Sequence, residues 1–226
     1  MYNSQITFTL DTICPWTYIA KKRLDKALDE IINSPDAQNV SFTLVFRPYQ
    51  LHSDFSSEPV DKRAWYRSHK HDDVDEKQAA FEAVMTQIGA DVGIRFAWGG
   101  SMSNTFRAHR VIQHFQEKRG AETANRLVEA ISERYFEREK DQGSKEVLVE
   151  ACVVAGIDET RAREVVEDDN EGRTEVKKVM RIAAMDGVDA VPNVVFEGRR
   201  RDLTLVGAKE VDEYVKALRT IVNESR

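Results

Sequence analysis

The chain reads as an α/β protein in which two α/β segments flank a long all-helical one. Three observations predict this. The opening alternates strand, helix, strand within fewer than 50 residues. From about Asp61 to about Asp169 the apolar residues recur almost only at helical spacing. The last 55 or so residues return to helix, hairpin, helix.

The first strand is the alternating run Ile6–Leu10, and Pro15 to Ile32 follows as a helix with Leu24, Leu28, Ile31 and Ile32 on one stripe. Asn33-Ser34-Pro35-Asp36 stops it. Val40 to Phe46 is a second strand with Phe42, Leu44 and Phe46 on one face, and a strand beside the first completes a right-handed crossover. The middle segment contains charged helical periods over Asp75–Ile88, Thr105–Lys118, Glu122–Glu137, Ser144–Ala155 and Glu159–Glu167, parted by glycines at 89, 99–100, 120, 143 and 156. Arg173–Met185 is helical, Asn193–Phe196 and Leu203–Val206 form a hairpin, and Ala208–Val222 closes the chain as an amphipathic helix. The expected division is residues 1–60 (βαβ), 61–170 (inserted helical domain) and 171–226 (αββα).

At 226 residues the chain is long enough for one fold with a large insertion. A net charge of −6 provides no global field for nucleic acid, and no run approaches the roughly 18 apolar residues of a membrane span. No nucleic-acid or membrane partner is therefore expected. Met1–Gln5 lacks a basic region followed by an apolar one, which sets the expectation of a cytoplasmic protein. Two cysteines, Cys14 and Cys152, are too few for a disulfide framework. His69, His71, Asp72 and Asp73 lack defined ligand spacing and read as the polar end of a helix, so no metal is expected.

Cys14-Pro15-Trp16-Thr17 lies between the first strand and the first helix. A cysteine at a helix N-terminus faces unpaired N–H groups and the positive end of the helix dipole, which stabilise thiolate over thiol. Pro15 suits the first turn, where its missing N–H costs nothing. Cys14 is thus expected to be a nucleophile of lowered pKa; the alternative is a small buried hydrophobe. Thr17 either donates a hydrogen bond to the thiolate or merely fills volume. Cys152, in an apolar helix, reads as core.

The chain resembles the DsbA-like thioredoxin superfamily, and within it the FrnE-like branch, which is related to kappa-class glutathione transferases and hydroxychromene-carboxylate isomerases. Five separated strings carry the resemblance: Asp11-Thr12-Ile13-Cys14-Pro15-Trp16, Arg47-Pro48-Tyr49-Gln50-Leu51, Asn104-Thr105-Phe106-Arg107-Ala108-His109-Arg110, Val191-Pro192 and Gly207-Ala208. The resemblance implies a thioredoxin fold with a large all-helical insertion. It also implies a cis Val191–Pro192 bond beside the thiol, with the Val191 backbone docking an extended peptide or glutathione.

A dithiol motif carries a second cysteine where this chain has Thr17, and a hydroxyl cannot resolve a mixed disulfide. Three readings follow: a monothiol oxidoreductase with glutathione as co-substrate, a glutathione-dependent isomerase or transferase, and a non-catalytic binding protein. The relatives of the second kind usually place serine where Cys14 stands. The expected catalytic residues are Cys14 and Thr17. Those expected to bind substrate are Pro15, Trp16, Asn104, His109, Val191 and Pro192, with Asn104 holding a polar substrate group and His109 tuning the thiol or acting as acid or base. No tightly bound cofactor is expected. The partner is glutathione or a small-molecule or peptide thiol substrate, and monomer and homodimer are both open.

Overall fold

A computed structural model describes residues 1–225. In chain order the elements are β1 (Tyr2–Leu10), α1 (Pro15–Ile32), a 3-10 turn (Pro35–Asn39), β2 (Val40–Pro48), β3 (Val60–Asp61), α2 (Lys62–Lys70), α3 (Asp75–Asp91) and β4 (Ser101–Met102). They continue with α4 (Phe106–Arg119), α5 (Ala121–Glu137), α6 (Lys145–Val154), α7 (Glu159–Glu167), α8 (Arg173–Met185), β5 (Asn193–Phe196), β6 (Leu203–Val206) and α9 (Val211–Glu224).

The main sheet has the order β2-β1-β5-β6. β1 runs parallel to β2 and antiparallel to β5, so it is paired on both sides, and Ile6 and Phe8 are fully buried. α1 packs with α9, while α4, α5 and α8 lie against β2. This is the thioredoxin fold with a helical insertion. β2 is an edge strand, and its free backbone at Phe46 is satisfied by α4: Gln116 Oε1 accepts the Phe46 N–H at 2.7 Å, and Gln113 and Gln116 donate to its carbonyl at 2.8 and 3.0 Å. Pairing a sheet edge with side-chain amides closes it to other chains.

The division at residues 60/61 and 170/171 is one of chain order, and packing runs across it. Ile6, Phe8 and Phe46 of the sheet share one core with Leu127, Ile131, Leu148 and Val165 of the inserted helices. A second core gathers Ile13 from the loop before α1 and Tyr18 and Ile19 from its start with Met85, Phe96, Met102, Tyr135 and Phe136, flanked by Trp65, Tyr66, Phe81 and Trp98. The αα-hairpin α2–α3 thus lies beside the Cys14 end of α1.

β1 starts at Tyr2, four residues before the alternating run, and three further features depart from the periodicity. α2 is absent from it because KRAWYRSHK has only three apolar residues; the helix is started by Asp61, whose Oδ1 accepts the Ala64 N–H at 2.7 Å. β3 and β4 are two residues each, too short to show alternation. α9 begins at Val211 rather than Ala208 because Glu210 and Glu213 form a reciprocal capping box. Gly207, at φ +83°, turns the chain there and donates its N–H to the Pro192 carbonyl at 2.8 Å. Arg23 of α1 holds the next residues, donating to the carbonyls of Ala208 and Lys209.

Candidate active site

Cys14 is the N-cap of α1, with extended backbone (φ −85°, ψ 113°) and Pro15 at the first helical position. Its N–H closes a turn onto the Asp11 carbonyl at 3.0 Å. The side chain is 6% exposed, and Sγ donates to the Val191 carbonyl at 3.9 Å. The Val191–Pro192 peptide bond is cis. Two chain segments nearly 180 residues apart therefore meet at the thiol. Pro15 and Pro192 are buried, Val191 is half-buried and Trp16 is exposed at the rim.

The acidity expected of Cys14 is reversed. Burial, the largest influence, pushes the thiol up to about 11. The backbone N–H of Thr17 pulls the other way, the Asp11 carboxylate adds to the rise, and the N–H of Trp16 opposes it. Unpaired N–H groups at the helix start do favour thiolate, but the desolvation of a nearly enclosed sulfur outweighs them. At rest Cys14 is a protonated hydrogen-bond donor.

Thr17 is held mainly by the turn itself. Its hydroxyl lies 2.6 Å from the Cys14 carbonyl and 3.0 Å from the Asp11 carbonyl, so its proton is spent on backbone. The hydroxyl is the smallest of the five influences on the thiol, consistent with that geometry. Thr17 braces the turn, and its backbone N–H favours the thiolate more than its hydroxyl does.

Asn104 and His109 do not line an open cleft at the thiol. The Asn104 amide is fully engaged: Oδ1 accepts from Gln50 Nε2 at 2.8 Å and from the Phe106 N–H at 2.9 Å, while Nδ2 donates to the carbonyls of Ser53 and Phe55. It splices the loop after β2 to the start of α4. His109 is 1% exposed, and its Nε2 lies 3.3 Å from Oδ1 of Asp11, itself fully buried. The Asp11 Oδ2 accepts the Leu51 N–H at 2.7 Å. The imidazole therefore reaches the thiol only through Asp11. Arg110 is also buried and caps α7, donating to the carbonyls of Val165, Val166 and Glu171.

Asp11, Tyr49, Leu51 and Tyr66 hold the site, and none was singled out from sequence. Tyr49 donates through its hydroxyl to the Asp189 carbonyl at 3.1 Å and through its N–H to the Leu10 carbonyl at 2.9 Å, tying the loop before Val191 to the end of β1. Arg47 pairs with Asp186 at 3.7 Å on the same loop. Asp11 and the Arg47–Leu51 string sit inside motifs already quoted, so a question about each loop's backbone partners would have found them. Tyr66, whose hydroxyl donates to the Ile13 carbonyl at 3.3 Å, lies on the helix that periodicity does not show.

Cys152 is fully buried in α6, and burial pushes its thiol up to about 12. It and Cys14 are both free thiols. Among the described residues no cluster of three His, Cys, Asp or Glu side chains could hold a metal ion, and His69 stacks on Trp65 at 4.6 Å. Arg199, Arg200 and Arg201 are exposed in the β5–β6 connection.

A cysteine capping the first helix, opposite a cis proline that opens the third main-sheet strand, defines a thioredoxin-fold protein, here with Thr17 in the fourth motif position. The chain belongs to the DSBA-like thioredoxin domain family, whose model matches residues 5–219. The probable DsbA oxidoreductase of Streptomyces coelicolor is similar at 26% identity, over 98% of this chain and 91% of that one, with a TM-score of 0.81. A 2-hydroxychromene-2-carboxylate isomerase shares the fold (TM-score 0.67, 14% identity, 96% and 95% covered). So does the cytosolic disulfide reductase DsbM of Pseudomonas aeruginosa, solved with GSH (TM-score 0.62, 13% identity, 97% and 99% covered). No curated protein matches the chain. Among the described residues no helix is long and apolar enough to cross a membrane.

Proposed function

We propose that the protein is a thiol-disulfide oxidoreductase that works with Cys14 alone and uses glutathione as its reductant. The observation that carries this reading is the apposition of Cys14 Sγ and the Val191 carbonyl at the start of α1, with the only other cysteine enclosed in α6. Cys14 thiolate attacks the glutathione sulfur of a mixed disulfide R–S–S–G. That S–S bond breaks, R–S⁻ leaves with the electron pair and takes a proton, and Cys14–S–S–G forms. A glutathione thiolate attacks the glutathione sulfur of this adduct and releases Cys14 thiolate together with glutathione disulfide, so one reduced glutathione is consumed per turnover and its thiol proton balances the one that R–S⁻ takes up. Such a cycle needs no second protein thiol, which fits Thr17 in the fourth motif position. It also suits a glutathione-rich cytoplasm.

The resting thiol is protonated, so the first step waits on loss of the Cys14 proton. Docking of a substrate backbone along Val191 competes for the carbonyl that Sγ now faces, and Trp16 at the rim covers the entering group. Cys14→Ser is expected to abolish turnover of a glutathionylated peptide in the presence of glutathione and glutathione reductase, while Cys152→Ala retains it. Equal rates for wild type and Cys14→Ser would overturn the reading.

The protonated Cys14 also favours a second reading. A thiol that donates to a carbonyl can donate equally to a glutathione thiolate, as an isomerase or transferase site would require. Under that reading Cys14→Ser binds glutathione as tightly as wild type and keeps its activity.

A further inference from the structure

A cavity of about 630 Å³ opens between the start of α4 and α8, lined also by Gln50 and Asn104 but not by Cys14. Its volume is that of a small-molecule site. Phe55, Phe106 and Met180 supply apolar wall, while Arg107, Arg110, Arg173 and Lys177 face a single carboxylate, Asp169. That carboxylate is already shared: Arg107 Nε lies 3.1 Å from it, Arg110 3.9 Å and Lys145 4.0 Å. Arg110 is spent on the end of α7. Arg173 and Lys177, one helical turn apart on α8, have no ion-pair partner among the described residues. The Arg173 guanidinium is held over the Phe106 ring at 5.2 Å.

A chain of net charge −6 thus gathers four cations around one cavity with one carboxylate to balance them. α4 begins at the same cavity with no acidic residue in its first turn, so its positive end is not offset either. Solvation alone would serve cations scattered on a surface. Here two of them share a concave site with an aromatic ring and a thioether, which matches a ligand having both a charged head and an apolar body.

We propose that this cavity is a binding site for a compact organic anion, a carboxylate or phosphate on a small aromatic or aliphatic body, held by Arg173 and Lys177 with Arg107 behind them. Cys14 does not line the cavity, so its side chain is not needed to hold the ligand.

The test is equilibrium binding of 1-anilinonaphthalene-8-sulfonate to the full chain, read by the probe's fluorescence. One probe should bind per chain, and the double variant R173E/K177E should weaken it about tenfold or more, since each charged contact is worth that much. Arg199→Glu, a charge reversal on the exposed β5–β6 loop, should leave binding unchanged, as should Cys14→Ser, which separates this site from the oxidoreductase reading. Citrate and inorganic phosphate at constant ionic strength should displace the probe, and the stronger competitor identifies the head group. Both α8 positions are exposed, so the double variant should unfold at the wild-type urea midpoint. Undiminished binding in R173E/K177E, or displacement by neither anion, would overturn the proposal.

Discussion

The acidity of Cys14 is the sharpest test of the site. Its thiol is pushed from 9.0 to about 11, mainly by burial. At pH 7 about one molecule in ten thousand is then thiolate, against about one in a hundred for an open thiol. A more basic thiolate is also more nucleophilic, with a Brønsted slope of about 0.4–0.5, which returns a factor of about eight and leaves a net slowing of about tenfold. The assay is iodoacetamide alkylation followed by intact mass across pH 6–12 in Cys152→Ala. Restricted access scales the whole curve but leaves its midpoint in place. The midpoint should lie near 11, and Asp11→Asn should lower it, because the carboxylate adds to the rise; the change should be less than burial causes. Stability should move with it. Between pH 9 and 11 the unfolded chain has lost a proton that folded Cys14 keeps, so stability falls with rising pH, by about 3 kcal/mol from this group, and Cys14→Ala removes that fall. A midpoint at or below about 8.5 would refute the argument that enclosure outweighs the helix N-terminus.

Other residues give distinct expectations. Thr17→Val should cost about 1–2 kcal/mol in urea denaturation through the lost backbone contacts, yet leave the alkylation midpoint almost in place. His109→Leu leaves the buried Asp11 carboxylate with the Leu51 N–H as its remaining partner and should destabilise by about 2–4 kcal/mol, with the loss read by the same denaturation. Arg110→Ala strands the last carbonyls of α7 and should cost about 3 kcal/mol or more, whereas Arg199→Ala on the exposed loop should stay within about 0.5 kcal/mol. Tyr49→Phe removes the hydroxyl that ties the loop before Val191, and should raise hydrogen exchange at 186–191 with little change in global stability.

The long amphipathic elements were legible because each buries its own stripe. α1, α7 and α8 begin and end where their periods and stop signals place them, and the strand pair Asn193–Phe196 and Leu203–Val206 matches its hairpin. α2 was not legible, since Trp65 and Tyr66 find their partners in His52, Phe55 and Phe81 from other parts of the chain. At the site, Cys14 and the Val191–Pro192 segment were placed correctly opposite one another. The hydrogen-bond partners of Asn104, His109 and the Thr17 hydroxyl were not legible, for a common reason. Each is a short polar side chain whose hydrogen-bond partners lie on another segment or on the turn itself, and which partner it takes depends on how those segments dock.

By itself the sequence determined the order of the long elements, the family, and the meeting of one cysteine with a helix N-terminus, because period, capping and motif are properties of adjacent residues. Only the tertiary structure decided how Cys14 behaves. Its acidity is a balance between local N–H groups, which the motif supplies, and desolvation by Val191, the Asp11 turn and the surrounding loops, which exists only once the segments have packed. The cation-lined cavity arises in the same way, from α4 and α8 brought together across 60 or so residues of chain.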